Sequence, residues 1–218
     1  MRGKFIVFEG IEGSGKTTQL QDLYRWLLPI LTDCPLANCP TGVTITRQPG
    51  GTSIGQHIRQ ILLTPSSDSE SLFSTSELLL YAADRAQHVA QILLPALENG
   101  HLVLCDRYIA STIAYQGYGR QLNLDLIKQL NAIATGGLTS DLTLWLKIDV
   151  EQGLARMSAR GKADRIEQAG LEFHRRVHQG FAAQANGFVT VDASLTQTDV
   201  AKQIQAIVSQ HLQSWYGL

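Results

Sequence analysis

Five short apolar runs punctuate the chain. They are Lys4-Phe5-Ile6-Val7-Phe8-Glu9, Val43-Thr44-Ile45-Thr46, His101-Leu102-Val103-Leu104-Cys105-Asp106, Leu142-Thr143-Leu144-Trp145-Leu146-Lys147-Ile148 and Phe188-Val189-Thr190-Val191-Asp192. Near-continuous β-prone runs of this length predict strands buried on both faces. Between them apolar residues recur at helical spacing, predicting helices over 18–28, 53–63, 77–98, 122–134, 150–159, 171–185 and 198–212. In the second of these, Ile54, Ile58, Ile61 and Leu62 share a face. Pro95 is expected to kink the third, and Asn99-Gly100 to stop it. Residues 29–42, with three prolines and Gly42, read as a loop, as does the serine-rich stretch 64–76. Ile109 to Gln116 reads as a helical turn that Gly117-Tyr118-Gly119 breaks. Strands alternating with helices predict an α/β fold, a five-stranded parallel sheet covered on both faces, in one domain over residues 1–218. Ligands of such sheets sit beyond the C-terminal ends of the strands, so functional residues are expected there.

Composition narrows this little. A chain of 218 residues, 44% hydrophobic, can bury a full core, and a net charge of −1 argues for neither a nucleic-acid nor a membrane surface. No apolar run is long enough to span a bilayer, and no signal-peptide pattern opens the chain, which leads us to expect a cytoplasmic protein. Cys34, Cys39 and Cys105 lack metal-site spacing. A Cys34–Cys39 disulfide is possible, but an odd count without a leader favours reduced thiols.

The strongest chemical signal is Gly10-Ile11-Glu12-Gly13-Ser14-Gly15-Lys16-Thr17, which fits the phosphate-binding pattern G-x-x-x-x-G-K-[ST]. A predicted strand precedes it and a predicted helix follows, the context the motif requires. Glycines let backbone N–H groups turn onto a polyphosphate, and the helix N-terminus adds its dipole. Lys16 is expected to reach the outer phosphates and Thr17 to ligate Mg²⁺. Asp106 closes the third strand, where a second acidic residue can reach the metal, partly through water. Arg47, Arg59 and Arg85 lie between the first and third strands, and Arg107 directly follows the third. A donor nucleotide already has the glycine loop, so further guanidinium groups suggest a second anionic ligand, such as a phosphorylated acceptor. Arg156, Arg160, Lys162 and Arg165 surround a glycine and suggest a basic lid at about 156–168.

No H-R-D or D-F-G signature occurs, and no His or Asp base is evident. A phosphate monoester acceptor needs none, because its second pKa is about 6. A nucleoside kinase would need a base, for which Glu12 is the single candidate, and would leave the arginines unexplained. A nucleotide switch would not need a second arginine set.

Four ordered motifs resemble thymidylate kinases of the bacterial type: the G-x-E-G-x-G-K-T-T loop, R-x-P-G-G-T at 47–52, D-R-Y-x-x-S-x-x-A-Y-Q-G at 106–117, and A-R-G-x-x-D-R-I-E at 159–167. The resemblance runs from Phe5 to Val191-Asp192-Ala193-Ser194. It implies a nucleoside-monophosphate-kinase fold, ATP and dTMP as substrates, Mg²⁺, and a homodimer using apolar helices between the second and fourth strands. It implies that Tyr81 stacks on thymine, that Arg85 bonds a base carbonyl, and that Thr112 and Gln116 read the base edge. Arg47, Arg59 and Arg107 would hold the dTMP phosphate, Tyr115 would crowd the sugar's 2′ position, and Glu12 would face the acceptor. Arg156 and Arg160 would be lid arginines, and the 191–194 segment would lie near adenine. Two departures stand out: Gln48 replaces the family's usual glutamate, and the 29–42 loop is long.

Overall fold

The computed structural model describes residues 2–32, 34, 39–65, 71–159 and 164–218. Five strands, β1 (Phe5–Glu9), β2 (Val43–Arg47), β3 (Leu102–Asp106), β4 (Leu142–Lys147) and β5 (Val189–Asp192), form one parallel sheet in the order β2-β3-β1-β4-β5. Strand alternation divides the core in two. Ile6, Phe8, Leu102 and Leu104 face α1 (Lys16–Thr32), α8 (Leu171–Ala182) and α9 (Gln197–Tyr216), while Phe5, Val7, Val103 and Cys105 face Val89, Leu93 and Leu97. Each such fully buried side chain contributes about 1.5–3 kcal/mol of transfer free energy.

Helix α2 (Ser53–Leu63) starts where Thr52 caps it, its side chain accepting from Gly55 N. The third predicted helix is one rod with an internal defect. Helix α3 (Ser74–His88) passes through a π turn (Val89–Leu93) into α4 (Leu94–Glu98), whose second residue is Pro95. The wider turn is where the ladder absorbs a proline that has no N–H to give.

Three expectations need correction. Helix α1 does not stop before Pro29 but carries it to Thr32, because Leu27 is buried and Leu31 packs on the core. Gly117-Tyr118-Gly119 does not break its helix: α5 (Ile109–Thr112) continues as a π-helical stretch, Ile113–Gly119. Close packing explains that stretch, since a Cβ on Gly119 would sit 2.7 Å from Phe173 and 2.9 Å from Val177, both on α8. Cys34 and Cys39 are joined as a disulfide, with Cα atoms 6.4 Å apart, while Cys105 is a buried free thiol. Helices α6 (Leu124–Thr135) and α7 (Val150–Ser158) complete the fold. The Asp149 carboxylate at the end of β4 caps α7, accepting from Glu151 N and Gln152 N.

Candidate active site

The ends of β1, β2 and β3 meet at one level. Arg47 is in register with Asp106, and Asp106 with Phe8. From β1 the chain enters the glycine loop, where Gly13 and Gly15 take φ of 72° and 86°. A side chain on Gly13 would also collide with the Gly153 carbonyl of α7. Lys16 is folded back into this loop: its Nζ donates to Gly10 O (3.0 Å) and Ile11 O (2.8 Å). Burial, then the nearby Arg107 charge, push Lys16 down to about 8. The Thr17 hydroxyl donates to the Asp106 carboxylate across 2.5 Å, so two hard oxygen groups from α1 and β3 lie together at the loop's mouth.

A cleft of about 220 Å³ opens beside this pair. Glu12, Lys16, Arg47, Arg59, Tyr81, Arg85, Asp106, Arg107, Thr112, Tyr115 and Gln116 all line it. The acceptor-side candidates therefore converge, although they come from five separate elements. Among the described residues no ion pair engages Arg47 or Arg59. Burial, with the Arg47 cation next, lowers the Arg59 guanidinium's pKa, and the Asp164 carboxylate only partly offsets it.

Arg107 has a partner. Its backbone holds φ of 73°, rare for a residue with a side chain, at the turn from β3 to α5. Its guanidinium donates to Gly10 O, Ser111 Oγ, Glu12 Oε1 (2.9 Å) and Tyr115 OH. Tyr115 in turn donates to the Glu12 carboxylate, 2.6 Å away. Burial pushes Glu12 up, but Arg107 and Lys16 outweigh it and hold the carboxyl below the usual range.

Arg85 is buried and held on three sides. Its Nε donates to Gln48 Oε1 (3.0 Å), and its terminal nitrogens donate to Asn131 Oδ1 and Tyr108 O. The other amide arm of Gln48 donates to His88 Nδ1 (2.7 Å), which leaves the His88 Nε2–H to donate to Thr46 Oγ1. Gln48 thus stands between a cation and a neutral imidazole, accepting at one end and donating at the other. Burial, then Arg85, push His88 down to about 4. An imidazole protonated only below its unfolded-state value of about 6.5 lowers stability as pH falls through that window, by up to about 3 kcal/mol. Urea unfolding of the wild type and His88→Asn at neutral and mildly acidic pH checks this. The wild type is expected to lose more stability on acidification, and equal losses would count against it.

The sequence reading missed several residues in the cleft wall and behind it. Glu9, wholly buried at the end of β1, accepts from Tyr108 N, Ser111 N and Ser111 Oγ, so a neighbouring strand caps α5. Burial raises its pKa despite those bonds. Asp164, Ile166 and Glu167 also line the cleft. Asp164 accepts from Ile166 N and Glu167 N, while the Glu167 side chain accepts from Asp164 N. His174, buried on α8, lies 3.7 Å from Glu12. Lone strand-end or helical acids and histidines carry no spacing signal that could have found them. The remaining basic residues are placed as follows. Arg156 donates to the carbonyls of Ala193 and Ser194, next to β5. Arg165 donates to Leu62 O and pairs with Glu77 (2.7 Å). Arg160 and Lys162 lie outside the described residues.

A family model, thymidylate kinase, matches residues 8–204. The chain belongs to the thymidylate kinase family. Among the family's curated members, it is 56% identical to a thymidylate kinase of Trichodesmium erythraeum (strain IMS101), with 99% of each chain covered. It is 52% identical to one of Trichormus variabilis, over 99% of this chain and all of the relative. Among solved structures it superposes on the crystal structure of thymidylate kinase from Ehrlichia chaffeensis with a TM-score of 0.73 at 32% identity, covering 95% of this chain and 99% of the other. Family membership agrees with the P-loop fold and with a phosphotransfer enzyme.

Proposed function

We propose that the protein transfers the γ-phosphoryl group of ATP to dTMP, giving dTDP and ADP. The observation that carries this reading is the pair Arg47 and Arg59, without ion-pair partners among the described residues, facing the same cleft as the glycine loop. A single nucleotide on the loop would leave them uncompensated, whereas an acceptor phosphate satisfies them with charge-assisted bonds.

Lys16 exchanges its loop carbonyls for the outer phosphates, and Arg47, Arg59 and Arg107 hold the acceptor phosphate. At neutral pH that phosphate is mostly dianionic. One of its oxygens attacks the γ-phosphorus as the bond to the ADP oxygen breaks, so no side chain need remove a proton. Thr17 and Asp106, two hard oxygen donors side by side, fit Mg²⁺, which supplies charge neutralisation on the phosphate oxygens when bound. Tyr81, half-buried and lining the cleft, is the stacking face for the base, with Arg85, Thr112 and Gln116 around the base edge. Tyr115, tied to Glu12, stands where a 2′-hydroxyl would be, which favours deoxyribose. Arg156 secures the 193–194 backbone on the donor-base side, and Arg160 is the remaining lid cation.

Exposed apolar residues on α2, α3 and α6, namely Ile54, Ile61, Leu79, Leu126 and Ile133, support a homodimer through that face. Among the described residues no helix is long and apolar enough to cross a membrane. We place the enzyme in the cytoplasm with its nucleotide substrates.

A coupled ADP-release assay across monophosphates tests the reading. Release with dTMP should exceed that with dUMP, CMP and AMP. A preference for AMP would overturn it.

A further inference from the structure

Glu77 lies on the first turn of α3, wholly buried behind the cleft wall. Its Oε1 accepts from the Gln116 side-chain amide (2.7 Å) and from Arg120 Nε (3.3 Å). Its Oε2 accepts from Arg120 Nη2 (3.1 Å) and pairs with Arg165 Nη2 (2.7 Å). A carboxylate set between two guanidinium groups has acceptors and no proton to offer. Gln116, itself 1% exposed, can therefore meet it only with the NH₂ end of its amide. The amide is planar, so its oxygen is turned the other way, toward the cleft that Gln116 lines. Reversing the amide would press its oxygen against a carboxylate oxygen, with both side chains buried.

We propose that Glu77 is a positioning residue that sets base specificity through Gln116. By taking up the Gln116 NH₂ group it presents an acceptor, and only an acceptor, to the bound base. The site then takes a pyrimidine whose ring nitrogen carries hydrogen, as thymine's N3 does. It refuses one whose ring nitrogen is a bare acceptor, as in cytosine. The inference rests on the dTMP reading above and adds to it a residue that touches no substrate. Buried polar groups left facing a like partner are what allow such sites to discriminate by orders of magnitude. Arg165 ties the same carboxylate to the 164–167 segment that lines the cleft, and Arg120 fixes it from the end of the π-helical stretch.

The test compares dTMP with 5-methyl-dCMP, which keeps the methyl group and sugar phosphate and differs only at ring positions 3 and 4. Their kcat/KM ratio is read from one preparation, so the active fraction cancels. Glu77→Gln supplies an amide that can donate, which frees Gln116 to reverse. The ratio is expected to fall by about tenfold or more, the scale of one buried hydrogen bond. In a Gln116→Ala background the same substitution should change the ratio by less than about twofold, because the two residues act as one unit. An unchanged ratio in Glu77→Gln, or equal changes in both backgrounds, would overturn the proposal. Gln116→Glu provides a second variant that leaves the Glu77 ion pairs in place. A carboxylate at 116 can still accept from N3–H, yet it would oppose Glu77, so KM for dTMP should rise by about tenfold or more. A KM within about twofold of wild type would contradict the role of Glu77. A wild type that turns over dTMP with either contradictory result removes the inference alone, whereas a wild type without dTMP turnover removes the substrate reading as well.

Discussion

Lys16→Met is expected to remove nearly all turnover while making the fold more stable. The two effects have one origin. The Lys16 ammonium is buried and held by the carbonyls of Gly10 and Ile11, oxygens that stand in for phosphate until a nucleotide arrives. Its pKa of about 8 lies below the usual lysine range because burial, then Arg107, oppose the charge. Below about pH 8 the protonated amine therefore works against folding by about 3 kcal/mol, and this penalty fades as pH rises from about 8 to 10.5. Methionine keeps the length of the side chain and discards the charge, so urea unfolding at neutral pH should show a gain toward that figure. Losing a preorganised cation aimed at developing phosphate charge should lower kcat by about a hundredfold to a thousandfold. A variant that is inactive and less stable would mean that Lys16 serves the loop's architecture. One that retains its kcat would remove the residue from the transfer step.

Arg107→Ala should act on the acceptor and spare the donor. Arg107 reaches the cleft from a turn with φ of 73°, and it ties together Glu12, Tyr115 and the first carbonyl of the glycine loop. Losing a charge-assisted contact to the dTMP phosphate removes about 1.5–3 kcal/mol, which corresponds to about a tenfold to hundredfold loss in kcat/KM for dTMP. The KM for ATP should stay within about twofold, because on the proposed reading Lys16 and the loop amides, not Arg107, take the β- and γ-phosphates. The substitution also leaves Glu12 buried without its cation, so stability should drop by about 3 kcal/mol. Steady-state kinetics with each substrate varied in turn separates these outcomes. Equal losses for ATP and dTMP would assign Arg107 to the glycine loop instead of the acceptor.

The strands were legible because a parallel sheet buries both faces, and burial leaves unbroken apolar runs. Each observed strand falls within about a residue of its run, and Ser53–Leu63 forms a helix over the span its periodicity marked. Where local reading failed, a distant partner had overruled it. Gly117 and Gly119 look like helix breakers until α6 is laid against the first and α8 against the second, and Pro29 looks like a terminus until Leu31 finds the core. The cysteines show the same limit, since loop spacing alone did not decide between thiols and the Cys34–Cys39 disulfide.

The site divides in the same way. The glycine loop is contiguous, so its chemistry reads directly from eight residues, and the arginines announce an anion by charge alone. Their division of labour was not legible. Arg47 and Arg59 are left without carboxylate partners among the described residues, while Arg85 is committed to Gln48 and Asn131, and Arg165 to Glu77. Glu9 and Glu77 make their bonds to residues far along the chain, and an isolated glutamate has no spacing that reports such a partner. Gln48 is instructive. From the sequence it reads as a lost acid, yet in the structure its two amide ends serve Arg85 and His88 at once.

Whether the arginine-lined cleft holds dTMP as the acceptor of the ATP γ-phosphoryl group can be followed by ³¹P NMR of a mixture of the purified protein, ATP, Mg²⁺ and dTMP. The dTDP and ADP resonances are expected to grow together in equal amounts as ATP and dTMP decline. Loss of ATP to ADP and inorganic phosphate, with the dTMP signal unchanged, would contradict that role for the cleft.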